Sequence, residues 1–240
     1  MIPAGHGVTT AAVVVPASDE AEHIGAALDA VVDAAQFSDA PCVIVVVDDS
    51  STDDTVSIAQ RSLARHDGIS LVVSVEAGRA SRAREIGTAF VPAATGFDDP
   101  SHVWLLSTDA DSVVPVDWIA RHLAHARRGE VAVAGTVDLL DDHDGRRIRS
   151  AWSADYGATI TAERTHPHVH AANLGVRLDV FSQVGGFGDD ERAEDLDLWR
   201  RLRAAGHVPV ADADIVVGTS ARPFGRVELG FAGALRRLYA

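Results

Sequence analysis

The chain has 240 residues, 35 of them acidic and 21 basic, for a formal net charge of −14, and every basic residue is arginine. The absence of lysine excludes Schiff-base chemistry, the P-loop and the ATP-clamping lysine of kinases. A single cysteine, Cys42, excludes disulfide frameworks and CxxC metal or redox sites, and the acidic balance argues against general nucleic-acid binding.

The first half alternates short β-branched runs with amphipathic segments, the pattern of βαβ units around a mostly parallel sheet. Strands are predicted at Ala12–Pro16, Val43–Val47, Ile69–Val75 and Val103–Ser107. Helices are predicted at Glu20–Ala35, at Thr52–Arg65 with Ser51 as its N-cap, at Ala80–Phe90, and after Pro115 through Trp118, Ile119 and Leu123. After about residue 130 a strand is expected at Val131–Leu139 and a charged loop at Asp141–Arg149. A helix around Tyr156–Ile160, another from about Glu194 to Ala205, and strands near Val208–Val210 and Ile215–Val217 complete the pattern. One α/β domain spanning 1–240 is the economical reading, with sub-regions of about 1–128 and 129–240. No apolar stretch reaches the roughly 18 to 20 residues needed to span a bilayer, and no basic n-region precedes Ala11–Pro16. A soluble, unprocessed cytoplasmic protein is expected. The amphipathic segment Val227–Tyr239 is expected to dock on its own domain, with pairing to a partner or a peripheral contact with the inner face of a membrane as alternatives.

In open α/β sheets ligands bind at the carboxyl ends of the strands. There the second strand ends in Asp48-Asp49 and the fourth in Asp109-Ala110-Asp111. An Asp-x-Asp turn aims two hard oxygen ligands to one side and suits Mg2+ or Mn2+, with water and phosphate completing the shell. A protein this acidic repels an anionic ligand unless a divalent cation bridges the two. Arg79, Arg82 and Arg84 open the helix after the third strand, either as phosphate ligands or as a solvated face. Glu194-Asp195 begins a later helix, either as a cap favoured by the macrodipole or as a general base. Asp197, Arg200, Arg201 and Arg203 are expected on that helix's outer side. His166, His168 and His170 share one side of an extended segment if it is a strand. Trp104 and Trp118 are expected in the core, whereas Trp152, Tyr156 and Trp199 could shape an acceptor pocket.

In order along the chain, these pieces resemble the family 2 glycosyltransferases of the GT-A fold, from about Ala12 to Val217. Val13–Glu20 resembles the V-I-P-x-x-N-E segment, with Ser18 and Asp19 as departures. Val46–Thr55 resembles V-V-D-D-G-S-T-D-x-T, with Ser50 in place of glycine. Ala83–Gly87 is similar to A-R-N-x-G, with Glu85 for asparagine, and Asp109-Ala110-Asp111 to the DXD motif. Ala171–Arg177 followed by Val184–Phe187 resembles G-A-N-x-A-x-R…G-G-F, and Glu194–Trp199 resembles E-D-x-D-L.

The resemblance implies a Rossmann-like sheet with helices on both faces and a smaller acceptor-side sub-region. It further implies a nucleoside-diphosphate sugar donor, with Pro16, Ala17, Glu20 and Asp49 at the base and ribose side. Asp48 would hold the turn, Arg84 would lie near the nucleotide, Asp109 would face ribose or metal, and Asp111 would bind the metal. Asp195, with Glu194 beside it, would be the base of an inverting transfer. Asn173, His170 and Trp199 would lie on the acceptor side, toward an acceptor that is a sugar, a lipid or a small molecule. Many relatives carry a histidine after the last strand; this chain has none there, so another group completes the metal site or Arg222 and Arg226 contact the diphosphate. Rival readings are a retaining transferase and a degenerate nucleotide-sugar-binding or scaffold protein. A nicotinamide oxidoreductase is excluded by the missing GxGxxG.

Overall fold

The computed structural model describes residues 7–96, 99–140, 152, 154, 156–188 and 194–220. The four apolar runs of the first half form β1 (Thr10–Ala17), β2 (Cys42–Asp49), β3 (Ile69–Val75) and β4 (Val103–Ser107). Between them lie α1 (Ile24–Phe37), α2 (Thr55–Leu63) and α3 (Ala80–Thr95). The second half adds β5 (Ser112–Val113), α4 (Trp118–Arg127), β6 (Ala132–Leu139), β7 (Leu174–Arg177), α5 (Leu178–Gln183), α6 (Glu194–Ala204) and β8 (Val210–Thr219).

The eight strands among the described residues share one sheet in the order β3-β2-β1-β4-β7-β6-β8-β5. β3, β2, β1 and β4 are parallel, as are β6 and β8, whereas β7 runs antiparallel to both β4 and β6 and β5 antiparallel to β8. The result is the expected mostly parallel α/β sheet covered on both faces.

Side chains alternate across each strand, so every run is divided between two cores. Val13, Val15, Ile44, Val46, Trp104 and Leu106 pack against Ile24, Leu28, Ala59, Trp118 and Leu123 from α1, α2 and α4. Val14, Val45, Val47 and Leu105 face the other way, toward Ala83, Val91, Phe181, Leu198 and Leu202 from α3, α5 and α6. α3 lies directly on the sheet because Gly87 has no side chain: a Cβ there would sit 2.6 Å from Val14 and 2.8 Å from Val47. Trp104 and Trp118 are core residues, as expected. Cys42 is buried at the start of β2, where burial pushes its thiol up to about 12.

Several boundaries differ from expectation. α1 starts at Ile24, because residues 19–21 are bound to the loop after β2 and cannot join the helix. α2 starts at Thr55, and Ser51 does not cap it: the Ser51 hydroxyl accepts the Asp19 N–H at 2.8 Å instead. α3 continues past Phe90 and through Pro92, ending where Gly96 takes a φ of +68°. The two short strands expected near the end are one, β8, bulged where its pairing with β6 slips between Ala134 and Thr136. Asp141–Arg149 and Val227–Tyr239 lie outside the described residues. Among those described, no helix is long and apolar enough to cross a membrane.

Candidate active site

The carboxyl ends of β1, β2 and β4 lie side by side, with Ala17 opposite Asp48 and Val14 opposite Ser107. Pro16 and Ala17 are therefore placed beside Asp48 and Asp49. Pro16 lies beyond the last β4 partner of β1, so its missing N–H leaves the β1–β4 ladder intact.

The loops after β1 and β2 clasp each other. Asp19 Oδ1 accepts the Thr52 N–H at 2.7 Å, the Glu20 N–H donates to Thr55 Oγ1 at 2.7 Å, and the Ala21 N–H donates to Asp53 Oδ2 at 3.0 Å. Asp48 is buried and accepts the Ser51 N–H at 3.3 Å, so it holds the turn. Asp49 Oδ1 accepts the N–H groups of Ala77 at 2.7 Å and Gly78 at 3.0 Å, which fixes the start of the loop after β3. Directly after Asp49, Ser50 has a φ of +58°, the left-handed region in which a glycine is unstrained, and its hydroxyl donates to the Val75 carbonyl at 3.1 Å.

The turn carrying Asp109 and Asp111 is pinned by backbone. The Ser112 N–H donates to the Asp109 carbonyl at 3.1 Å, and the Ser220 N–H donates to the Asp111 carbonyl at 3.2 Å. β5 then pairs with the end of β8, where the Ser112 hydroxyl donates to Thr219 Oγ1 at 3.0 Å.

At the centre is Arg84, only 3% exposed. Its Nε donates to Ser107 Oγ at 3.0 Å, one terminal nitrogen pairs with Asp109 and the other with Glu194 Oε1 at 2.9 Å. The guanidinium also lies 5.7 Å over the Phe187 ring. Burial opposes the charge, but the Asp109 and Glu194 carboxylates outweigh it and hold the pKa above its ordinary value. Arg84 thus joins the end of β4 to the start of α6. Sequence reasoning did not find Ser107 or the pairing with Glu194.

At that start, Asp195 Oδ2 accepts the Ala171 N–H at 3.1 Å and Oδ1 accepts the Leu196 N–H at 2.7 Å. Burial raises the pKa of Asp195, and burial likewise raises that of Glu194, against the pull of Arg84. Arg84, Asp109, Glu194 and Asp195 form one charged cluster. Glu85, at the position of the asparagine in the motif, accepts the Phe187 N–H and ties α3 to the glycine turn. Arg201 pairs with Asp197 at 2.7 Å and donates to the Gly186 carbonyl at 2.6 Å, so it is bound to the same turn and is not simply an outward charge.

The acceptor-side residues divide. Asn173 is fully buried, and its Nδ2 donates to the carbonyls of Thr136 at 2.7 Å and Ile215 at 2.9 Å. Its Oδ1 accepts from Trp118 Nε1 at 2.9 Å and lies 3.3 Å from His122 Nε2. Asn173 therefore braces β6, β8 and α4, and its amide has no free edge for a ligand. Trp199 is buried in the core with Leu198 and Leu202, so its ring packs rather than lining an open pocket.

His166, His168 and His170 do share one side: their successive ring centroids lie 6.0 and 5.9 Å apart, and Tyr156 stacks on His168 at 4.0 Å and on Trp152 at 4.7 Å. Near-parallel stacking does not converge the ring nitrogens on one point. Burial lowers the pKa of all three, that of His170 to about 3, so the ladder is neutral at pH 7. His170 shares a 3.1 Å hydrogen bond with the Tyr156 hydroxyl and directly precedes Ala171, which holds Asp195. Arg222 and Arg226 lie outside the described residues. A cleft of about 500 Å³ between α3 and α5, walled by Thr88, Pro92 and Phe181, contains none of the charged cluster.

Among the described residues no three His, Cys, Asp or Glu side chains form a ready metal site. Asp109 and Asp111 nevertheless fit Mg2+ or Mn2+. Such ions are commonly held by one or two carboxylates, with substrate phosphate and water completing the shell.

The glycosyl transferase family 2 model matches residues 12–185. The glycosyltransferase AglE of Haloferax volcanii is 26% identical over 220 residues, covering 90% of this chain and 68% of that protein. A mannosyltransferase from Pyrobaculum calidifontis, solved with GDP-Man and Mn2+, superposes with a TM-score of 0.66 at 23% identity, over 90% of this chain and 58% of that one. TarS of S. aureus, solved with UDP-GlcNAc, superposes with a TM-score of 0.65 at 13% identity, over 95% of this chain and 65% of that one. The chain thus spans less than two thirds of either solved relative. The matched model runs from β1 through α5 and covers most of the chain, and the fold is that of GT-A transferases: the chain belongs to glycosyl transferase family 2.

Proposed function

We propose that the protein transfers a sugar from a nucleoside-diphosphate sugar to an acceptor hydroxyl, with inversion at the anomeric carbon and with Asp195 as general base. The observation that carries this reading is the cluster built on Arg84, which brings the donor-side Asp109 and the Glu194-Asp195 pair into one site. The clasped loops with Pro16, Ala17, Glu20 and Asp49 form the seat for base and ribose. Asp109 and Asp111 would hold a divalent cation, which when bound supplies Lewis-acid stabilisation of the departing diphosphate.

In the transfer, the acceptor oxygen forms a bond to the anomeric carbon as the bond to the diphosphate oxygen breaks on the opposite face. The hydroxyl proton passes to Asp195. The Ala171 and Leu196 N–H groups fix the carboxylate's orientation, and each of its oxygens retains a lone pair for that proton. Burial lifts its basicity toward the working range. The relatives' ligands, GDP-Man and UDP-GlcNAc, indicate which donors to try first.

Titration calorimetry with a panel of GDP- and UDP-sugars, with and without Mn2+, tests the reading. Binding of one donor class, strengthened by the metal, is expected. No binding of any nucleotide or nucleotide-sugar would refute it.

A further inference from the structure

The Asp109 carboxylate, one of the two oxygen ligands proposed for the metal, is paired with a cation. Arg84 is buried and fixed at all three of its donor groups, by Ser107, Asp109 and Glu194. Guanidinium does not deprotonate in proteins, so this partner is present at every working pH. Among the described residues no three His, Cys, Asp or Glu side chains are arranged to hold a metal together. An unshielded acidic cluster of Asp109, Glu194 and Asp195 would attract a divalent ion by itself; with Arg84 in its midst the attraction is offset.

We propose that Arg84 is a positioning residue that acts as a built-in counter-cation to Asp109. By holding that carboxylate it keeps metal affinity low until a diphosphate supplies additional negative charge and oxygen ligands. The proposal rests on the donor reading above and adds a role for Arg84 other than contact with the nucleotide. A charge in contact with a carboxylate changes that group's affinity for a proton by about 1–3 pK units, and the same electrostatics applied to a metal ion gives about tenfold or more.

Mn2+ binding to the full-length protein, followed by electron paramagnetic resonance of free Mn2+, tests this. Measurements are made without nucleotide and with UDP or GDP, corrected for Mn2+–nucleotide complexes. In the wild type, the bound nucleoside diphosphate is expected to tighten Mn2+ binding by about tenfold or more. Arg84→Gln, checked for native circular dichroism, is expected to bind Mn2+ about tenfold more tightly than wild type in the absence of nucleotide, with correspondingly less gain on adding it. Arg84→Lys, which keeps the charge, should resemble wild type. A purely structural role predicts the opposite, a loosened site that binds Mn2+ more weakly.

Unchanged or weaker Mn2+ binding in Arg84→Gln overturns the inference. So does a wild type whose Mn2+ affinity is indifferent to a nucleotide that binds; this outcome needs no variant to fold and leaves the donor reading standing. If neither UDP nor GDP binds the wild type with or without Mn2+, the donor reading fails and the inference with it.

Discussion

Asn173→Ala removes a side chain that makes four contacts in a fully buried position. Truncation orphans the Trp118 indole N–H, 2.9 Å from Asn173 Oδ1, and the imidazole of His122, at 3.3 Å, both in residues with no exposure. It also removes the donors to the Thr136 and Ile215 carbonyls at 2.7 and 2.9 Å, where β8 bulges against β6. A buried polar group left unsatisfied costs about 1–3 kcal/mol. With two stranded donors the loss is about 2–6 kcal/mol, against a typical total stability of about 5–15 kcal/mol. Urea unfolding followed by tryptophan fluorescence and circular dichroism gives the difference directly. Asn173→Asp is a sharper companion, because it turns a carboxylate oxygen toward two carbonyls and should be at least as damaging. If Asn173→Ala lost under about 1 kcal/mol while raising the KM for acceptor, the bracing role would be wrong and the residue would be a ligand contact after all.

Asp195→Asn is expected to lower transfer by about 100-fold or more while leaving nucleotide affinity nearly intact, and full turnover would remove Asp195 as the base. Since burial raises the Asp195 carboxyl above its ordinary 3.8, in a cluster with Glu194, Asp109 and Arg84, the transfer rate should rise with pH through a value above 3.8 and then level off. An acidic limb at or below the ordinary aspartate value would contradict this. Burial pushes His122 down to about 3 from 6.5, so below 6.5 the unfolded chain takes up a proton that the folded protein refuses. Stability is then lost as pH falls, by about 2 kcal/mol from this group at pH 5, at about 1.4 kcal/mol per pH unit. His122→Gln should flatten the dependence of the urea midpoint between pH 7 and 5, and an equal slope in that variant would refute the assignment.

The parallel half of the fold was legible because each of β1, β2 and β4 is a continuous β-branched or apolar run, which only a strand buried on both faces requires. β7 was not: four residues, Leu174–Arg177, carry too little pattern, and their antiparallel placement between β4 and β6 is decided by tertiary pairing. Ser51 satisfied the local rule for a cap and was taken by a partner 32 residues away. The acidic strand ends could be read from position alone, and the role proposed for Asp195 from resemblance. That Arg84 binds Ser107, Asp109 and Glu194, at separations of 23, 25 and 110 residues, leaves no local trace in sequence, since an arginine on a helix looks the same whether solvated or buried. The hydrogen bonds by which Asn173 braces β6, β8 and α4 leave no local trace for the same reason, since its partners lie 37 to 55 residues away.

The central claim is turnover of a nucleotide-sugar at the Asp109–Asp195 cluster. The most direct test is release of free nucleoside diphosphate from a panel of GDP- and UDP-sugars by wild type, Asp109→Ala and Asp195→Asn, each with Mn2+ and with a chelator. The account predicts Mn2+-dependent release from one donor class by wild type and its loss in both variants. Release that persists in the chelator or in Asp109→Ala, or no release from any donor with any acceptor supplied, would contradict it.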